Sequence, residues 1–194
     1  MKKLKFSLLA LALVTISANL SAQADTNVAS HNIVIGVPNV ALLDIESGVA
    51  NNNINMSFTV PTEAGQPITP VADNNTLWLN YSSIKKNTTY SRTVSVKLGA
   101  VIPGVAIKVT AAGHTGGGAG TFGTSTGQLT LTAVDQPILT GIGSAWTGDG
   151  NTNGHQLTYN VGYGGTGTGT GTANYADLVV STTTAVVTYT LSDI

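Results

Sequence analysis

The chain has 194 residues, 9% of them charged, a formal net charge of −1, 23 glycines and no cysteine. Thiol chemistry, disulfides and cysteine metal sites are excluded. Cations are too few and too scattered to form a footprint for a polyanion, so nucleic acid is not an expected partner.

Residues 1–24 read as a leader. M-K-K-L-K supplies a positive start, F-S-L-L-A-L-A-L-V-T-I an apolar stretch, and Ala22-Gln23-Ala24 a small-x-small cleavage pattern. The apolar run falls short of the roughly 20 residues that span a bilayer as a helix, and no later stretch is longer, so no transmembrane segment is expected. The expectation is a cleaved signal peptide over 1–24 and a single secreted domain over 25–194. That places the protein outside the cell or on a bacterial cell surface, with the periplasm as the alternative compartment. Without the leader, five cations (Lys85, Lys86, Arg92, Lys97, Lys108) face nine carboxylates, a net charge of −4.

Beyond the leader, a period of two dominates and no segment keeps a helical period. I-V-I-G-V (33–37) comes first, with Ile33, Ile35 and Val37 on one face, then V-A-L-L-D-I (40–45) after Pro38. In I-N-M-S-F-T-V (54–60), Ile54, Met56, Phe58 and Val60 share a face. T-L-W-L-N-Y (76–81) sets Leu77, Leu79 and Tyr81 opposite Trp78, and Y-S-R-T-V-S-V-K-L (90–98) alternates Val94, Val96 and Leu98 with Thr93, Ser95 and Lys97. V-A-I-K-V-T-A (105–111) follows the Pro103-Gly104 turn. The glycine-rich stretch 113–127 reads as too flexible for a core element. Further strands are expected at 128–134, 137–140, 156–161, 178–180 and 185–191, with a Gly-Thr loop over 164–172.

Short β-branched segments separated by turn signals predict an all-β protein. The expected architecture is a single β-sandwich, jelly-roll or immunoglobulin-like Greek key, of about 8–10 antiparallel strands. Its surface should be neutral and rich in hydroxyls and amides.

The candidate sites are few. D-G-N-T-N-G (149–154) matches the first half of a calcium loop through Asp149, Asn151, Asn153 and Gly154. The position that should carry a bidentate Glu is Asn160. With one carboxylate, a turn built from Asp-Gly and Asn-Gly is the favoured reading and calcium the weaker one; no other cofactor is expected. Ser144, Asp149 and His155 lack the G-x-S-x-G elbow of a hydrolase. His155 fits better as a ring bonded to a loop carbonyl. His31, His114 and His155 lie in separate segments, without zinc spacing. No carboxylate pair suggests glycosidase chemistry, and the glycine clusters lack the Lys-Ser/Thr of a phosphate loop. No enzyme is predicted.

For binding, Trp78 and Trp146 are candidate sugar-stacking rings, against the commoner role of Trp in packing. Ile33, Ile35 and Val37 form a candidate donor strand for a neighbouring subunit, against pairing within their own domain. Partners are therefore a second copy through sheet edges, or glycans.

The C-terminal run Tyr175…Val186-Val187-Thr188-Tyr189-Thr190-Leu191 resembles the closing strand of secreted bacterial pilin-like and WxL-type surface domains. WxL domains carry Trp where this chain has Tyr189, and a second Trp-x-Leu motif that it lacks. Chaperone–usher pilins usually carry a disulfide, which it also lacks. L-W-L-N-Y (77–81), T-G-I-G-S (140–144) and G-H-Q-L-T-Y (154–159) resemble segments of a secreted family of Gram-negative bacteria. The resemblance implies a β-sandwich at the cell surface and carries over no catalytic or binding residue. The expected function is a non-enzymatic structural or adhesive protein, with a filament subunit as the sharpest form. A carbohydrate-binding module, calcium-assisted or not, is the alternative.

Overall fold

The computed structural model describes residues 27–49, 51–163 and 175–194. The expected leader and the Gly-Thr loop over 164–172 lie outside the described residues. The chain divides into two units, Met1–Gly36 and Val37–Ile194. In the first, residues 27–36 contain no helix or strand, and Ile33, Val34 and Ile35 are 73%, 96% and 80% exposed. The strand expected over 33–37 does not form.

The second unit is all-β. In chain order its strands are β1 (Val40–Ser47), β2 (Phe58–Thr59), β3 (Thr69–Pro70), β4 (Asn74–Ile84), β5 (Arg92–Leu98) and β6 (Val105–Ala111). Then come β7 (Ala119–Gly120), β8 (Thr124–Ser125), β9 (Leu129–Thr130), β10 (Gln136–Ile142), β11 (Ala145–Trp146), β12 (His155–Tyr163) and β13 (Val187–Asp193). Among the described residues, seven strands of seven or more residues carry the fold, and six two-residue strands stitch it. The expected β-sandwich is present: one antiparallel sheet runs β7-β11-β4-β12-β6-β9 with β1 on the other side of β4, and a second runs β13-β5-β10-β8.

Alternation explains which side chains meet. Leu77, Leu79 and Tyr81 of β4 face Val94, Val96 and Leu98 of β5, joined by Val109, Ile138, Leu139, Ile142 and Leu157 in one core. Each such side chain contributes about 1.5–3 kcal/mol on burial, which sets the register against a one-residue slip. A polar tie crosses the core where the Tyr159 and Tyr189 hydroxyls meet at 2.6 Å, joining β12 to β13. Burial raises both phenols, Tyr159 to about 12.

Several expected strands shrink or vanish. Over 54–60 only Phe58–Thr59 pairs, with β3, although Ile54 and Met56 still pack against the core. Over 128–134 only Leu129–Thr130 pairs, with β6. Residues 178–180 form no strand, and Val179 and Val180 are exposed. Apolar alternation places side chains there without a neighbouring backbone to complete a ladder. The stretch 113–127 differs the other way. It supplies β7 and β8 and bridges Thr115 to Gly154, so it is built into the sandwich rather than a flexible excursion. Gly120 shows why glycine is needed: its φ is +109°, and a Cβ would collide with the Ser144 carbonyl of the adjoining β11 region.

One cation holds a corner of both sheets. Arg92 has the parity of Val94 and Val96, and its side chain is 1% exposed. Its Nε donates to Asp193 Oδ1 at 2.6 Å and its Nη2 to Asn39 Oδ1 at 2.7 Å. Its Nη1 donates to the Val40 carbonyl and to Ser83 Oγ, and Ser83 in turn donates to the Gly143 carbonyl at 2.7 Å. The starts of β1 and β5 and the ends of β4 and β13 thus meet at one guanidinium. Replacing Arg92 by Met should lower the unfolding free energy by about 3 kcal/mol or more, and Asp193→Asn by less, because Asp193 is 43% exposed. Urea denaturation of both variants checks this; an Arg92→Met loss below about 1 kcal/mol would mean that the corner is held by packing alone.

Candidate functional site

The segment 145–159 tracks one edge of β4 in a single direction. Ala145 and Trp146 pair with Ser83 and Ser82, and His155, Gln156 and Leu157 pair with Leu79, Trp78 and Leu77. D-G-N-T-N-G forms a turn, and that turn is an excursion out of one continuous run along β4 rather than a link between neighbouring strands. Thr147 closes the gap. It is fully buried, its Oγ1 accepts the Tyr81 N–H at 2.9 Å, and its own N–H donates to the Tyr81 carbonyl at 3.0 Å. The excursion then covers Asn80, whose Nδ2 donates to the Gly150 carbonyl at 3.0 Å.

Within it, the candidate calcium residues have separate duties. Asn153 Oδ1 accepts the Gly117 N–H at 2.7 Å, while its Nδ2 donates to the Asp149 carbonyl at 2.5 Å. Both ends of that amide are occupied in tying the turn to the glycine-rich stretch. The Asn151 side chain lies against Gly48. Asn160 donates to Asp73 at 2.6 Å from its place in β12, away from the turn. Among the described residues no three His, Cys, Asp or Glu side chains cluster as a metal site. The geometry is that of a cross-linked turn. Gly154 anchors it with φ +83°, where a Cβ would strike the Leu79 carbonyl.

His155 follows directly and is fully buried. Its Nδ1 lies 2.8 Å from the carbonyl of Ala112 in the loop after β6, as its loop position suggests. A carbonyl only accepts, so Nδ1 carries the proton and Nε2 accepts from the Tyr81 hydroxyl at 3.3 Å. That hydroxyl accepts the Gly123 N–H at 2.9 Å. His114, stacked on Phe122 at 3.6 Å, contacts the Thr147 carbonyl and lies 5.9 Å from the His155 ring. Two of the three histidines are thus brought together, which no sequence spacing announced. Ser144 Oγ accepts the Lys85 N–H, so Ser144 and His155 have separate partners and no triad is wired.

Burial pushes His155 below the usual imidazole range; the Ala112 bond opposes this, and His114 adds to the lowering. A depressed folded-state pKa means that the unfolded chain binds the extra proton first. The contribution of His155 is therefore complete above about pH 6.5 and is lost as pH falls through its folded value.

Of the two tryptophans, Trp78 is half-buried beside Gln156, whereas Trp146 is 55% exposed on the outer face of the sheet. The two do not share a platform; Trp146 pairs with Ser82, four residues along β4 from Trp78 itself. Trp146 borders an open groove of about 350 Å³, lined also by Val40, Ser82, Ile84 and Ser144. The edge strands β1 and β13 differ in chemistry. β1 carries Asp44 and Glu46, while β13 has a single charge, Asp193, which Arg92 holds. Comparison with known proteins finds no matching family model, no matching curated protein and no matching solved structure.

Three outcomes follow from this geometry. Melting temperature should fall between pH 7 and pH 5, and His155→Gln should flatten that part of the profile; an unchanged slope would assign it to other groups. Gly154→Ala should cost at least about 2 kcal/mol in chemical denaturation, from forced positive φ plus the clash. Asn153→Ala should cost about 1–2 kcal/mol, equally in calcium and in chelator; a penalty confined to calcium buffer would restore the metal reading.

Proposed function

We propose that the chain is a secreted, non-enzymatic structural or adhesive protein of the cell surface whose copies associate by strand addition. The observation that carries this is the aliphatic run Ile33, Val34, Ile35 and Val37, exposed and in no strand. Alternate members of such a run are what an acceptor sheet buries, at about 1.5–3 kcal/mol per side chain, while main-chain hydrogen bonds supply the rest.

The edge of β13 is the natural acceptor. Natural edges are blunted by lysine, proline or bulges. β13 pairs with β5 over seven residues without a register break and carries none of these. Its inward side chains Val187, Tyr189 and Leu191 are only partly buried, so donated Ile33, Ile35 and Val37 would extend the apolar row they begin. Secretion rests on the leader-like residues 1–24 and on a neutral hydroxyl-rich surface. Glycan binding is a second reading, favoured by the exposed Trp146 ring.

Residues 25–194 should form higher-order species in a sedimentation concentration series, and fibres or chains in electron micrographs. Both should disappear with Ile33→Asp plus Ile35→Asp, with the melting temperature of the sandwich unchanged. A monodisperse monomer at high concentration, with residues 25–37 intact, would remove the reading.

A further inference from the structure

The pairing register carries the glycan reading to a specific site. Ser82 of β4 is opposite Leu42 on β1 and opposite Trp146 on β11, and Trp146 is opposite Ala119 on β7. Leu42, Ser82, Trp146 and Ala119 therefore form one row across four adjacent strands. Leu43 and Ile45 pack against the core, so Leu42 projects from the opposite face, where it is 66% exposed. Two large apolar side chains flank a serine, and adjacent strands lie about 4.8 Å apart, so the gap between their backbones is about 10 Å. The small Ser82 and Ala119 leave this row concave. The neighbouring row, Val40, Ile84 and Ser144, continues the floor.

We propose that this groove is a binding site for a neutral, flat-faced pyranose of a glycan chain, stacked on Trp146. The inference rests on the glycan reading above and is independent of strand addition. Four features select the ligand. Trp146 is 55% exposed and has no ring partner among the described residues. The lining residues include no carboxylate, ammonium or guanidinium, so a charged ligand would lose its hydration without a counter-charge. The polar groups present are hydroxyls. Ser144 Oγ already accepts the Lys85 N–H and keeps its own proton to donate, while Ser82 adds a second hydroxyl at the centre of the row. The volume of about 350 Å³ falls at the small end of ligand sites. A pyranose whose hydroxyls are equatorial meets these demands. Its C–H face lies on the indole, and its rim of hydroxyls reaches the serines. The site is also preformed, because Gly120 can occupy its place at the rim only in the close approach already described.

The test uses residues 25–194 and cellohexaose as the probe, with xylohexaose and mannohexaose beside it and tri-galacturonate as an acidic comparator. Saturation-transfer NMR should show contact with at least one neutral oligosaccharide and none with the galacturonate. Trp146→Ala should weaken that binding about tenfold, while Trp78→Phe leaves it within about twofold. Leu42→Asp should weaken it as well, and all three variants should keep the wild-type melting temperature within a few degrees. No contact with any neutral oligosaccharide overturns the site together with the glycan reading. Neutral-oligosaccharide binding that survives Trp146→Ala keeps glycan binding but overturns this groove. A change in oligomeric state in Trp146→Ala without any glycan contact would make the face a contact between copies instead. Retained assembly in all three variants would leave strand addition standing whichever result is found.

Discussion

The fold depends on hiding a permanent positive charge between its two sheets. A guanidinium cannot shed its proton in a protein, so Arg92 is tolerable inside only if its donors are satisfied. The surroundings meet that condition with a carboxylate, an amide oxygen, a backbone carbonyl and a hydroxyl. Lysine could not replace it, since an ammonium is a point charge without the planar fork that reaches four partners in different directions. The corner therefore demands that β1, β4, β5 and β13 arrive together. The polar corner adds a second demand on the strand arrangement to the register that apolar burial already sets.

A second constraint lies along the edge of β4. A strand with a partner on each side must have every peptide group answered, yet the chain leaves that edge for the seven residues 148–154. Thr147 answers the otherwise unpaired Tyr81 amide with a side-chain oxygen, and the excursion folds back over Asn80. His155 then returns the chain to the ladder with its ring already committed on both nitrogens. The glycines of 113–127 belong to the same construction, because only backbone without side chains can pass so close to the Ser144 carbonyl and the Asn153 amide.

How much of this was legible in the sequence follows from which signals are local. Alternation in 76–81, 90–98 and 105–111 located three of the principal strands and their buried faces, because a half-buried strand writes its period directly. The same parity put Arg92 on the core face, two positions before Val94, and that was the available sign of the buried clamp. What no local pattern could supply was the partner: Asp193, Asn39 and Ser83 are brought to Arg92 by topology. The period of two misled at 33–37 and a short apolar run misled at 178–180, where a suitable side-chain pattern met no neighbouring backbone. Glycine misled in the opposite direction, since the composition that permits a flexible loop also permits tight backbone contact. Trp146 stood out in the sequence, but only the register aligned it with Leu42 and Ser82.

The clamp has a mechanical meaning. Tension transmitted through the residues before Val40 and through those after Asp193 would converge on the same guanidinium, since β1 begins and β13 ends there. Both strands lie at sheet edges, so a pull at those points would open their ladders one rung at a time rather than shear all rungs together. Arg92 sits at the end rung of each, paired with Asp193 and bonded to the Val40 carbonyl. It would act as the fuse of the domain under load, holding both edges until its own bonds yield and then releasing them in sequence.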